Sequence, residues 1–348
     1  MDLLLDASLM IHEQAAFVAL VVLGIFAVAL PLDKKFAMRF ERGVLAVGIA
    51  LVLAWTLKMI FAATRPCETI PAIVACPHDF SLPSIHTAIA VAIALCAIGT
   101  MRFYPLLAIS VLIGASRIFI GVHNLNDVCA GAAVAVAAVA IAEGLFGIEP
   151  ALWHGRKWIK KMPADEDSRQ AMHLVAGLIV LLSAYYIGVQ QTAYIVFAFL
   201  IGGLVMYNIK AMGLRAPILD KLLGKVERNG HPAGYGAVML FSGMLACLTL
   251  FYSELALSLL FILAVGDVAS NVFGRRFGKH RLPHNKCKSL EGTAAYAITS
   301  APAYFIGGFV ALIAAILSAM FESVEIDIDD NLFVPAAGVC AFLIMGII

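Results

Sequence analysis

The sequence predicts an all-α integral membrane protein with about eleven transmembrane helices in two helical-bundle domains. Three observations predict this. Of the 348 residues, 62% are hydrophobic, and the mean hydropathy is +0.95. Only 14% are charged, against about 25% in soluble domains. Apolar runs suited to spans of ~17–25 residues recur along the whole chain. They fall near 15–31, 43–62, 85–99, 103–120, 127–147, 171–189, 192–208, 235–252, 255–271, 293–318 and 333–348.

The order of these runs sets the expected topology. The first run starts late and lacks a basic leader, so it reads as a span and not as a cleaved signal. Basic residues mark cytoplasmic loops. Four lie in 32–42, one in 100–105, five each in 148–170 and 209–234, and six in 272–292. With eleven spans these five segments share one side, the expected cytoplasm. Of the 24 Lys and Arg residues, Lys58, Arg65 and Arg117 fall on the other side. That side is also expected to hold the acidic stretches Asp2–Glu13 and Glu322–Asp330. The net charge of +1 gives no reason to expect a nucleic-acid partner.

Segment 148–170 carries Pro150, Pro163 and an acidic run, as a linker does. It divides the chain into 1–147, with five spans, and 171–348, with six. No repeat relates the halves, which argues against an inverted-repeat transporter. Residues 217–228 place Ile218, Leu219, Leu222, Leu223 and Val226 on one helical face. That suits a helix in the cytoplasmic interface or an amphipathic cap on the bundle. Seven cysteines are too scattered for a metal or disulfide framework. Cys67 and Cys76 share the outer 63–82 loop, and a bridge between them requires that side to be oxidising.

The three exceptional cations belong to spaced clusters: Lys58-x6-Arg65-Pro66, Pro83-Ser84-Ile85-His86, and Ser116-Arg117-x5-His123-x3-Asp127. Charges at such places are costly and point to function. Arg65 offers a bidentate fork to phosphate oxygens. Ser84 is placed to cap a helix whose free amides and dipole attract an anion. His86 lies in the same turn. His123 and Asp127 are four apart and share a helical face. Asp127 can hold one imidazole nitrogen and leave the other as nucleophile or base. Any one of these residues alone reads as an interface anchor. The set reads as a site that stabilises a transferring phosphoryl group.

The set resembles the membrane phosphatidic-acid phosphatase superfamily, which shares its site with vanadium haloperoxidases. The family pattern is KxxxxxxRP, PSGH, SRxxxxxHxxxD, over about residues 43–147 here. The resemblance implies a metal-independent lipid phosphatase that works through a phosphohistidine. His123 would be the nucleophile, Asp127 its partner and His86 the acid for the leaving group. Lys58, Arg65, Ser84 and Arg117 would bind phosphate. Ile85 departs from the family glycine and puts a β-branched chain where backbone approaches phosphate.

A second cluster lies in 266–293, GDVASNVFGRRFGKHRLPHNKCKSLEGT. Asp267 ends a span, four glycines permit close backbone approach, and six cations crowd one loop before Glu291. Carboxylates with cations and glycines suit a nucleoside triphosphate with Mg2+. No GxxxxGK[ST] loop is present, which excludes that common ATPase site. A loop that only sets topology or touches anionic lipid has the same composition. The stretch, with Glu227-Arg228 and HPAGYG upstream, resembles the dolichol kinase and phytol kinase family of CTP-dependent polyprenol kinases. The resemblance implies that Asp267, Lys288, Ser289, Glu291 and Gly292, with Arg275 and Arg276, contact nucleotide, and that Asp267 and Glu291 hold Mg2+.

The combined expectation is a lipid phosphatase domain at 1–147, a cytoplasmic linker at 148–170 and a polyprenol kinase-like domain at 171–348. The phosphatase would act on a polyprenyl phosphate or diphosphate at the outer face, without a cofactor. The kinase would use CTP and Mg2+ on a polyprenol at the cytoplasmic face, in a prokaryotic cell membrane. The alternatives are a phosphatase with a non-catalytic C-terminal half, a cytidylyltransferase in that half, and a transporter or flippase for a phosphorylated lipid.

Overall fold

The computed structural model describes residues 34–145, 166–214, 234–324 and 328–346. The expected span at 15–31, the interfacial helix at 217–228 and most of the linker lie outside the described residues. Among the described residues the protein is helical and has no strand. The chain forms two compact units, Met1–Ala151 and Leu152–Ile348. Five helical stretches are long and apolar enough to cross a membrane: Gly43–Phe61, Leu125–Gly144, Val189–Ala211, Ser253–Phe277 and Leu290–Ser323.

The first unit contains α1 (Lys34–Phe61), α2 (Ile85–Cys96), α3 (Phe103–Phe119) and α4 (Leu125–Leu145). Helix α4 packs on α1 and α2, and α2 also packs on α1 and α3. Alanine makes this possible: Ala130, Ala132, Ala133, Ala135, Ala138, Ala140 and Ala142 are all buried. Small side chains let helix backbones approach closely where the solvent is as apolar as the core. On α1 the large side chains Leu51, Val52, Trp55 and Met59 point outward, as lipid-facing residues do.

The second unit contains α5 (Glu166–Tyr186), α6 (Val189–Ala211), α7 (Tyr235–Leu250), α8 (Ser253–Phe277), α9 (Leu290–Ser300), α10 (Tyr304–Ser323) and α11 (Phe333–Ile344). Helix α8 is its axis and contacts α5, α7, α9, α10 and α11. Helix α9 runs antiparallel to α8. Ser258 Oγ donates to the Ala303 carbonyl at 3.3 Å, and Gly274 lies against Gly292 at the far end.

The run expected as one span, 293–318, is therefore two helices. The chain descends along α8 from Leu290 to Ala303, about 20 Å at ~1.5 Å per residue. It continues with helical torsions through Ala301–Ala303, reverses at Gly308 and returns as the remainder of α10. Gly308 interrupts α10 at φ +66°, a conformation only glycine adopts without strain. The return brings Glu322 back to Ser270 on α8 and to Lys288 in the basic loop. This corrects the expectation that Glu322–Asp330 lies on the side opposite segment 272–292. The turn escapes a hydropathy reading because it is itself apolar: Gly308 lies between Ile306 and Phe309, with no polar residue to mark it.

Candidate functional site

In the first unit the three clusters meet around the loop 121–124 between α3 and α4. Lys58 in the last turn of α1, Arg65 just after it, Ser84, Arg117, His123 and Asp127 are all buried. Ser84 caps α2, as its sequence position predicts, and its Oγ accepts from the Thr87 amide and hydroxyl. Asp127 sits in the first turn of α4, where Asn124 caps its amide and its own Oδ2 accepts from the Asn124 amide at 2.9 Å. His86 is half-buried in the first turn of α2. Arg117 closes α3 within electrostatic range of Arg65.

The two nitrogens of His123 face different groups. Nδ1 is 3.3 Å from Asp127 Oδ2, and Nε2 is 3.3 Å from Arg65 Nη1. A guanidinium can only donate, so Nε2 accepts and the ring proton rests on Nδ1, directed at Asp127. Burial holds the imidazole down, to about 4, against the pull of Asp127. His123 is thus neutral at neutral pH, with a lone pair on the nitrogen nearest the cations.

The consecutive residues Asp79, Phe80 and Ser81 tie the clusters together. Arg65 donates through Nη2 to Asp79 Oδ1 at 2.5 Å and through Nε to the Asp79 carbonyl at 2.8 Å. Lys58 Nζ donates to the Phe80 carbonyl and is 3.0 Å from Asp79 Oδ2. Ser81 Oγ donates to Asp127 Oδ2 at 2.6 Å and lies 3.4 Å from His123 Nδ1. Burial pushes the Asp79 carboxyl up, but Lys58 and Arg65 outweigh this and hold it below its ordinary value. A disulfide between Cys67 and Cys76 closes the loop just before these residues. Ile85 packs against the core formed by Ala54, Ala88 and Val134, so its branched chain serves helix packing.

In the second unit, Asp267 on α8 meets two residues that the sequence reading did not join to it. Asp267, Glu322 and Asp330 each place a carboxylate oxygen within 4.8 Å of the others. Lys288 pairs with Glu322 and lies 3.5 Å from Asp330 Oδ2. Burial opposes charge on Lys288, but Asp330 and Glu322 prevail and raise its pKa. His173 on α5 approaches Asp267 at 3.7 Å. Ser289 caps α9 and accepts from the Gly292 amide at 3.2 Å. Gly274 and Gly292 face each other across α8 and α9, where a Cβ on Gly292 would come within 3.2 Å of the Gly274 Cα. Glu291 is outside the carboxylate group. It accepts from the His280 amide and sits 2.7 Å from His280 Nδ1, closing the basic loop. Arg275 and Arg276 pair with Asp167 at the start of α5.

Residues 43–146 match the PAP2 superfamily, the span that holds all three clusters. These residues form a PAP2 superfamily domain.

Beyond the PAP2 domain, the chain resembles plant prenol kinases. It is 29% identical over 201 residues to "Farnesol kinase, chloroplastic" of Arabidopsis thaliana, covering 50% of this chain and 63% of the relative. It is 27% identical to "Probable phytol kinase 3, chloroplastic" of Glycine max, covering 49% and 60%. It is 26% identical to "Probable phytol kinase 2, chloroplastic" of Oryza sativa subsp. japonica, covering 48% and 62%. The chain thus spans somewhat under two thirds of the length of these relatives. No solved structure matches the chain. The apolar helices fit an integral membrane protein. The relatives are chloroplastic, which lends the expected prokaryotic membrane no support.

Sequence reasoning missed Asp79 and Ser81 in the PAP2 domain and Glu322 and Asp330 in the second unit. Asp79 carried one usable signal: with Glu68 it is one of two acids in the 63–82 loop, beside two buried cations.

Proposed function

We propose that the chain joins a lipid phosphatase to a CTP-dependent prenol kinase. The observation that carries the phosphatase half is the split environment of His123, with Nδ1 on Asp127, Nε2 on Arg65 and Lys58 within electrostatic range. In this reading Nε2 attacks the phosphorus of a polyprenyl phosphate or diphosphate. The bond to the leaving oxygen breaks, and His86 donates the proton that oxygen needs. Lys58, Arg65, Arg117 and the amides of the Ser84-capped helix stabilise the charge on the phosphoryl oxygens. Water then cleaves the phosphohistidine, with His86 accepting its proton, and inorganic phosphate leaves. No metal is required for these steps.

The kinase half rests on the relatives and on the cluster around Asp267 and Lys288. The hydroxyl of a prenol would attack the terminal phosphorus of CTP and release CDP. Mg2+ would supply charge neutralisation on the triphosphate. Lys288 and the α9 amides capped by Ser289 would bind phosphate oxygens, and Arg275 and Arg276 would attract the nucleotide. The distribution of Lys and Arg supports a phosphatase site on the outer face and a kinase site on the cytoplasmic face.

The test is to supply purified protein with a prenol and labelled CTP, and separately with the prenyl diphosphate. The expected products are a prenyl monophosphate with CDP, and inorganic phosphate. Phosphate release should persist in EDTA, and the CTP reaction should stop. Binding of both lipids without turnover would make the protein a carrier instead, and transfer of CMP to lipid would make the second half a cytidylyltransferase.

A further inference from the structure

The acids nearest Asp267 come from the last turn of α10, Glu322, and from the turn before α11, Asp330. We propose that Asp267, Glu322 and Asp330 form a binding site for one divalent cation of the Mg2+ or Mn2+ class, which loads without nucleotide and exchanges with the Lys288 ammonium. This rests on the kinase reading only for what the ion serves.

Three observations support the site. The first is spacing. The carboxylate oxygens lie within 4.8 Å of one another, and an octahedral ion with bonds of ~2.1 Å spaces its ligands about 3–4.2 Å apart. A contraction of about half an ångström closes the shell. An all-oxygen donor set favours a hard cation over zinc or copper.

The second is an orphaned atom. The Glu322 side chain is 3% exposed. Its Oε1 accepts from Ser270 at 2.9 Å and from Lys288. Its Oε2 is buried and has no hydrogen-bond partner among the described residues. A carboxylate oxygen left bare at that depth is costly, and a cation between the three acids removes the cost.

The third is charge. Three acids converge on one cation, Lys288, which pairs with Glu322 and lies 3.5 Å from Asp330. Lys288 therefore competes for the same anionic point as the ion. When the ion enters, the ammonium is released to bind a nucleotide phosphate. Glu291 takes no part, because His280 holds it.

The experiment is a Mn2+ titration of the full chain in nanodiscs, read by electron paramagnetic resonance without CTP or prenol. One site is expected, displaced by Mg2+. Asp330→Asn and Glu322→Gln should each weaken it at least tenfold. Lys288→Gln should tighten it severalfold by removing the competitor. If Glu322→Gln fails to fold, Asp330, which is less buried than Glu322, decides. No Mn2+ site, or a site indifferent to Asp330→Asn, overturns the proposal, and weaker binding in Lys288→Gln overturns the exchange. A Mn2+ site without CTP turnover would remove the kinase reading and leave the ion site. CTP turnover without the Mn2+ site would do the reverse.

Discussion

Arg65 Nη2 donates to Asp79 Oδ1 at 2.5 Å, while the other oxygen of that carboxylate lies 3.0 Å from Lys58. An anion thus already occupies the cations assigned to phosphate. Asp79 is 53% exposed, so its hold is modest, and exposed ion pairs contribute ~0.2–1 kcal/mol. Asp79→Asn should therefore tighten inhibition by orthovanadate roughly two- to fivefold. Weaker inhibition would mean that Asp79 orders the two cations and does not compete with phosphate.

Ser81 donates to the oxygen of Asp127 that also faces His123. Orienting partners of this kind commonly change activity by about 10-fold or more when removed. Ser81→Ala should lower phosphatase turnover roughly 10-fold and leave CTP consumption unchanged. Unchanged phosphate release would show that Asp127 is fixed by Asn124 alone.

His123 should stay neutral far into the acid range. Its pKa falls from an ordinary 6.5 to about 4, with burial the main cause. The sign follows from this depression. The neutral ring supports the folded state fully above pH about 6.5, and that support is lost as pH falls through about 4. Imidazole NMR, with the His123 signal assigned by difference against His123→Gln, should show titration near 4. A midpoint near 6.5 would contradict the buried neutral nucleophile.

The two sites should open on opposite faces of the membrane. The expectation rests on the distribution of Lys and Arg. Cys287 is exposed beside the second cluster, and Pro71 is exposed in the disulfide-closed loop. In a background otherwise free of cysteine, Pro71→Cys should react with an impermeant maleimide in sealed membranes oriented with the outer face exposed. Cys287 should react only after permeabilisation. Equal labelling of both would refute the two-faced arrangement.

The sequence was most legible where chemistry requires fixed spacing. Lys58, Arg65, Ser84, Arg117, His123 and Asp127 stand in short motifs, and they converge because α4 is lined with alanine. Asp79 and Ser81 have no spacing signature and gain meaning only when their loop folds over Arg65 and Asp127. Glu322 and Asp330 were read on the wrong side because the turn at Gly308 is as apolar as the helices it joins. Hydropathy detects the water-facing ends of helices and misses a reversal flanked by apolar side chains such as Phe305 and Phe309. The phosphate-site concern about Ile85 came from residue type alone. Its neighbours Ala54 and Val134 lie on other helices, so its packing was invisible to local sequence.

The central claim is that one chain carries two separable activities, and a crossed pair of variants tests it most directly. Purified wild type, His123→Ala and Asp267→Asn would each receive CTP labelled at its terminal phosphate with a prenol, and a prenyl diphosphate in a parallel assay. His123→Ala should label the prenol at the wild-type rate and release no inorganic phosphate from the diphosphate. Asp267→Asn should release phosphate at the wild-type rate and label no prenol. Near-normal phosphate release by His123→Ala, or label transfer by Asp267→Asn at the wild-type rate, would contradict the account.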